Sequence, residues 1–318
     1  MWNTVKITTS KVQSKWNDNK HKYMYTGNKV TNTVLRYLFL IGLSFVMLFP
    51  VIFMLSGAFK SAQDSFDLSV VWIPKNFSFQ AFQLAFESLD FLNALNSTLM
   101  ILIPSVIFQV VSSVLTAYGF ARFKFPLKKI LFAILIFSII VPVSSIIIPL
   151  YIDFSNMNIL KTYLPFYLMS ATGFGIRSGL YIFILRQFFR SIPKELEEAA
   201  MIDGCGGFKT FLKVMLPNAT SAIVTITVLS VVWYWNDYNL SSILLSDNFP
   251  LSYNLTMLNQ SFTSLRAGDA ELTSTLIYLL KDSIVKSACL MVSVPLIAIY
   301  VFFQRFLTES IEKTGIVG

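Results

Sequence analysis

The sequence predicts an all-α integral membrane protein of six transmembrane helices, with a further helix outside the membrane between spans four and five. Three observations carry that prediction. Of the 318 residues, 55% are apolar and only 13% are charged, about half the charge of an ordinary soluble domain. Six apolar stretches are each long enough to cross about 30 Å of hydrocarbon as a helix. Basic residues gather in alternate connections, as the positive-inside rule requires. Disorder, collagen-like repeats and a soluble enzyme are excluded by the composition.

Residues 1–33 form a polar arm with Lys6, Lys11, Lys15, Lys20, Lys22 and Lys29 and no apolar core. No small-residue cleavage site follows the first apolar run, so a retained span is expected, not a signal peptide. The net charge of +8 suits anionic lipid at the cytoplasmic face. No nucleic acid partner is expected, because nothing aromatic or glycine-rich organises these lysines.

The spans fall at about 34–56, 95–120, 129–150, 162–186, 218–238 and 284–304. Most contain proline (Pro50, Pro104, Pro142 with Pro149, Pro165, Pro295), which membrane helices tolerate when neighbours re-satisfy the backbone. Arg36, then Arg122, Lys124, Lys128 and Lys129, then Arg186, Arg190, Lys194, Lys209 and Lys213, and finally Arg305 and Lys313 share one side. Both termini are therefore expected in the cytoplasm.

Two cysteines, Cys205 and Cys289, and a single histidine, His21, leave a metal site, a Ser-His-Asp triad and a Cys-His dyad each short of a member. No enzyme chemistry of those types is expected.

The connection Gln187 to Leu216 is too long for a simple turn. Pro193 opens a helix with Glu195, Glu197 and Glu198 in its early turns, where the dipole favours anions. Asp203-Gly204 ends it, since glycine takes a positive φ freely. A second short helix carries Phe208, Phe211, Leu212 and Met215, and Pro217 opens the fifth span. The first helix presents small residues, Ala199 and Ala200, for close docking.

Glu198-Ala199-Ala200, then Gly204, then Val214 and Leu216-Pro217 resembles the EAA loop of ABC importer permeases, with Val214 where the family prefers Ile. The run Arg186 to Pro193 is similar to the second permease subunit of the carbohydrate-uptake, maltose-type subfamily. Asn96-Ser97, Tyr118 to Pro126, Pro142 to Tyr151, Trp235-Asn236-Asp237 and Gln304-Arg305-Phe306 extend the resemblance over about residues 34–318.

The resemblance implies a permease domain over 34–306 with a cytoplasmic tail over 307–318, in a prokaryotic plasma membrane. It implies a second homologous permease subunit, two cytoplasmic ATPase subunits and an extracytoplasmic sugar-binding protein. No G-x-x-x-x-G-K-S/T string occurs, so ATP and Mg belong to the partner ATPase and this chain binds no cofactor. Glu198, Ala199, Ala200, Asp203, Gly204, Leu216 and Pro217 would form the ATPase-coupling element.

Arg177 lies within the fourth predicted span, about 13 Å from Arg186, where the family usually has small or apolar residues. Intramembrane charge is a functional hypothesis by default, so Arg177 is a translocation-path candidate. Trp233, Trp235, Asn236 and Asp237 join it, because aromatic rings stack on sugar faces and Trp-Asn-Asp matches the family string. An apparent insertion at Thr263–Lys281 is a candidate contact for the binding protein. Gly315 to Gly318 resembles the family's glycine-rich tail, with Val317 in place of the usual basic residue. A secondary transporter is the alternative; it would need inverted repeats and intramembrane carboxylates.

Overall fold

The computed structural model describes residues 31–67, 69–264 and 272–315. The arm before Thr31, Arg266 and the last three residues lie outside them. Among the described residues regular structure is helical, apart from one antiparallel bridge between Lys60 and Phe77.

The chain divides after Ser56 into two units. The first holds nearly all of helix α1 (Thr31–Ala58), whose side chains Phe39, Ile41 and Met47 are exposed, as lipid-facing ones are. Its rings pair along the helix, Phe45 edge-on to Phe49 and Phe49 stacked on Phe53.

The second unit begins with α2 (Ala62–Phe66) and α3 (Gln80–Ser88). Ser61 Oγ caps α2 by accepting from Asp64 N–H at 3.2 Å. The Asp64 carboxylate accepts the Asn76 backbone N–H at 2.8 Å and its side-chain amide at 3.1 Å. The backbone bond above all holds Asp64 below the ordinary 3.8. A hydrogen bond from Lys75 Nζ at 2.6 Å, with help from Ser69, holds Asp67 well below the same value.

Then come α4 (Phe91–Arg122), α5 (Lys128–Ile140), α6 (Val143–Asn156), α7 (Leu164–Ala171) and α8 (Ser178–Ser191). After them lie α9 (Glu195–Ile202), α10 (Gly207–Thr210), a π-helical turn (Phe211–Met215) and α11 (Leu216–Asn218). The chain closes with α12 (Thr220–Asn236), α13 (Asn239–Leu244), α14 (Leu251–Ser264) and α15 (Leu272–Gly315). The predicted 239–283 connection is thus largely helical, and residues 265–271 of its insertion lie outside the description.

Helices α1, α4 and the Leu280–Gln304 part of α15 are long and apolar enough to cross a membrane. Two bent pairs bring the number to five if each pair is one crossing: α5 with α6, bent by 106°, and Gly207–Asn218 with α12, bent by 74°. Among the described residues that makes three to five candidate crossings, against the six predicted. Pro142, which lacks a donor, stands at the first bend. Pro217 lies in α11, just before the second bend, so the fifth helix opens at Thr220 instead.

The predicted span 162–186 is also interrupted. Gly173 (φ +77°) and Arg177 (φ +60°) lie in the left-handed region. The Phe174 N–H closes α7 by donating to Met169 O at 2.8 Å, the pattern of a glycine-terminated helix. A Cβ on Gly175 would overlap Gln109 Oε1 and stand 2.7 Å from Tyr234 Oη, so glycine is what lets the segment approach α4 and α12.

Two apolar cores stack along α4 and α12. In the first, Ile101, Leu102 and Val106 of α4 pack with Phe166 and Met169 of α7, Trp235 of α12, and Leu280, Ile284 and Ala288 of α15. The second joins Val114, Ala117 and Tyr118 to Tyr181, Leu185 and Phe189 of α8, Phe211 and Met215 of the π turn, and Ala222 and Ile226 of α12. The α7–α8 interruption falls where the two cores meet.

Candidate functional site

The segment after α8 is built as a helix, a glycine stop and a second helical stretch leading into α12. Glu195, Glu197 and Glu198 fill the first turn of α9. The Asp203 N–H donates to Ala199 O at 3.0 Å, and Gly204, at φ +81°, donates to Met201 O at 3.1 Å. The Cys205 N–H then donates to Ala200 O at 2.9 Å. Only a residue without a Cβ takes this φ without strain.

The two alanines face opposite ways. Ala200 is buried within the chain, whereas Ala199 is exposed beside Glu198, Met201 and Ile202. Of the second short helix, Phe211 and Met215 are buried and Phe208 and Leu212 are exposed. Leu216 and Pro217 form the first turn of α11, where Pro217 needs no donor.

An anchor that the sequence reading did not single out holds α9 to the end of α4. Glu197 Oε1 lies 3.1 Å from Arg122 Nε, with both side chains nearly buried. The Nε–H does not aim at that oxygen, so the contact is an ion pair and not a hydrogen bond. Tyr118 Oη donates to the same carboxylate oxygen at 3.3 Å, and Arg122 Nη2 donates to Ile192 O at 2.7 Å. Tyr118 and Arg122 belong to the matched Tyr118–Pro126 string, which was the available signal; their partner was not legible from it.

The path candidates separate into two groups. Arg177, exposed at the start of α8, places its guanidinium carbon 4.3 Å from the ring centroid of Trp233, itself exposed on α12. Asn236 is also exposed, and its side-chain amide donates to Val232 O at 2.8 Å. Trp235 is buried, with its indole N–H donating to Val292 O at 3.1 Å. Asp237 caps α13, accepting from the Leu240 N–H at 3.4 Å and the Ser241 N–H at 3.2 Å. Trp235 and Asp237 thus serve packing and capping, while Arg177, Trp233 and Asn236 stay accessible.

Beneath Arg177 lies a buried polar network on α4, α8, α7 and α12. Gln109 Nε2 donates to Ser178 Oγ at 2.6 Å, and Tyr234 Oη donates to Gln109 Oε1 at 3.3 Å. Tyr234 Oη also pairs with Ser170 Oγ at 2.6 Å, and Ser112 Oγ donates to Ser170 O at 2.6 Å. Irregular backbone packed against buried helices needs such partners. Among the described residues no group of His, Cys, Asp and Glu is arranged to hold a metal.

A family model described as the binding-protein-dependent transport system inner membrane component matches residues 109–313. A probable ABC transporter permease of Pyrococcus horikoshii is 31% identical over 213 residues, 67% of this chain and 71% of its own. The probable starch degradation products transport system permease AmyC of Thermoanaerobacterium thermosulfurigenes is 30% identical over 205 residues, 64% of this chain and 73% of its own. A crystal structure of a bacterial ABC transporter involved in import of the acidic polysaccharide alginate matches with a TM-score of 0.72. It covers 86% of this chain and 95% of its own at 21% identity, a likeness of fold.

Proposed function

Since the chain belongs to the family of binding-protein-dependent transport system inner membrane components, we propose that it couples ATPase closure to alternating access in a sugar importer. The chain is a membrane permease subunit of an ABC importer of the carbohydrate-uptake kind. Those relatives give the secondary-transporter alternative no support.

The proposed assembly has six crossings in this subunit, both termini in the cytoplasm, and a homologous second permease completing the pathway. Two cytoplasmic ATPase subunits hold ATP and Mg, and an extracytoplasmic binding protein delivers the sugar. In this reading α9 docks on an ATPase through Glu198, Ala199 and Ile202, with Ala200, Asp203 and Gly204 shaping it and Leu216-Pro217 returning the chain to the membrane. Closure of the ATPase pair displaces α9 and moves the permease between inward- and outward-facing states.

The observation that carries this reading is the Glu197–Arg122 ion pair, 3.1 Å long, which attaches the docking helix to the central helix α4. Co-purification of the ATPase, measured with sugar uptake and hydrolysis on one preparation, tests it. Loss of bound ATPase on altering the exposed face of α9 supports the reading; bound ATPase with normal stimulated hydrolysis rejects it.

Arg177 and Trp233 are the proposed contacts along the path. A guanidinium and an indole face offer hydrogen bonds and stacking to a hydroxylated ring.

A further inference from the structure

A cleft of about 590 Å³ opens where the end of α4, the start of α5 and the end of α8 meet. Ligand sites are typically about 300–1,000 Å³. Its walls carry Lys128, Lys129, Arg186, Arg190 and Lys194, together with the rings of Phe120 and Phe132. Arg122 also reaches it, but its charge is met by Glu197. None of the other five cations is in an ion pair among the described residues, and no carboxylate lines the cleft.

Holding that many like charges together costs energy that an anion in the cleft would offset. The cleft is also shaped in advance. Arg186 Nε donates to Phe120 O at 3.3 Å, and its guanidinium carbon stands 3.8 Å from the Phe132 ring centroid. Lys128 Nζ donates to Phe123 O at 2.7 Å. Lysines at the start of α5 oppose the helix dipole, whose positive end adds to the same field.

The apolar surroundings decide what kind of anion fits. From Lys129 onward α5 exposes Ile130, Leu131, Ile134 and Phe137, so a cationic cleft continues directly into a lipid-facing wall. That arrangement suits a ligand with an anionic head and apolar tails.

We propose that this cleft binds the phosphate headgroup of an anionic phospholipid, whose acyl chains run along α5. Because Lys194 immediately precedes α9 and Arg122 anchors α9 through Glu197, the bound lipid braces the base of that helix. Lipid binding itself is independent of the transport reading.

The test uses the chain purified with its co-expressed subunits, delipidated, and placed in nanodiscs of phosphatidylcholine with or without phosphatidylglycerol. Retained lipid is counted by native mass spectrometry after release into detergent. Wild type is expected to retain phosphatidylglycerol over phosphatidylcholine. Lys129→Gln with Arg190→Gln should weaken that retention about thirtyfold, while Lys129→Arg with Arg190→Lys restores it. Equal retention of both lipids, or an unaltered Gln variant, overturns the proposal. So does displacement of the lipid by millimolar inorganic phosphate, which would mark a soluble-anion site. Zero-length cross-linking of Lys129 to a carboxylate of a companion subunit would assign the cleft to a protein interface and overturn it equally.

Discussion

The guanidinium of Arg177 stacks on the indole of Trp233, 4.3 Å from its centroid, although the two residues stand on different helices, α8 and α12. The contact ties the interrupted segment after α7 to the face of α12 that remains accessible. A cation–π contact of this kind contributes about 0.5–2 kcal/mol.

Replacing Arg177 therefore tests function separately from folding. Its φ of +60° is strained for any residue with a Cβ, so Arg177→Gly should relieve about 1 kcal/mol of backbone strain. The lost stacking on Trp233 offsets that gain, so complex yield is expected to hold while uptake falls severalfold; Arg177→Lys should retain part of it. Normal uptake by Arg177→Gly at normal yield would remove Arg177 from the path.

Glu197→Gln should uncouple α9 from α4. Removing one partner of a nearly buried pair costs about 3 kcal/mol or more, so hydrogen exchange in Glu195–Ile202 should quicken and sugar-stimulated hydrolysis should fall. Arg122→Met with Glu197→Leu should recover the protection of α9, because no unpaired charge remains. Slow exchange in Glu197→Gln would show that the pair does not hold the helix.

The two alanines of α9 are expected to behave differently. Ala199→Asp changes an exposed surface and should release ATPase from an otherwise normal permease. Ala200→Asp buries a charge within the chain and should lower the yield of the permease itself. Gly204→Val strains a φ of +81° by about 1–2 kcal/mol and should fray the end of α9. Equal yields for both aspartate variants would mean that Ala200 also faces outward.

Acid should loosen the Ser61–Asn76 loop. The Asp64 carboxyl is held below its ordinary 3.8 by the Asn76 hydrogen bonds, so its contribution is complete above that value. It declines only as pH falls from there through the depressed folded value. Exchange in the loop, corrected for the intrinsic rate, should be constant from about pH 7 to 5 and rise below 3.8. Asp64→Asn should show the fast exchange at every pH; a loop unchanged by that substitution would refute the assignment.

Gly175→Ala should disturb the network between the cores, since its Cβ would overlap Gln109 Oε1. A buried polar group left unpaired costs about 1–3 kcal/mol, read as a lower melting temperature of the purified complex. An unshifted melting temperature would mean that the network rearranges freely.

What the sequence disclosed depended on whether a residue type leaves a choice. The stop after α9 was legible, because Asp203-Gly204 follows a short polar helix and glycine suits the positive φ there. The interruption after Ala171 was not: Gly173 and Gly175 sit in an apolar run that membrane helices tolerate, and Arg177 is an unusual residue for the left-handed region. Trp233 and Trp235 looked equivalent for a related reason. In a helix apolar on all sides, periodicity does not distinguish the lipid face from the protein face, and only the neighbouring helices show that Trp235 is the buried one. The Glu197–Arg122 pair joins residues far apart in sequence, beyond the reach of any local pattern.

One element touches both regions of interest. Between Gln109, under the interrupted segment, and Arg122, at the anchor of α9, helix α4 runs for about 20 Å without proline, Pro104 lying beyond it. Such a stretch is stiff along its axis, so a displacement imposed at Arg122 is expected to reach Gln109 with little lost to bending. Pro104 lies past that point, so a kink there would not absorb the displacement before it reached the residues under Arg177.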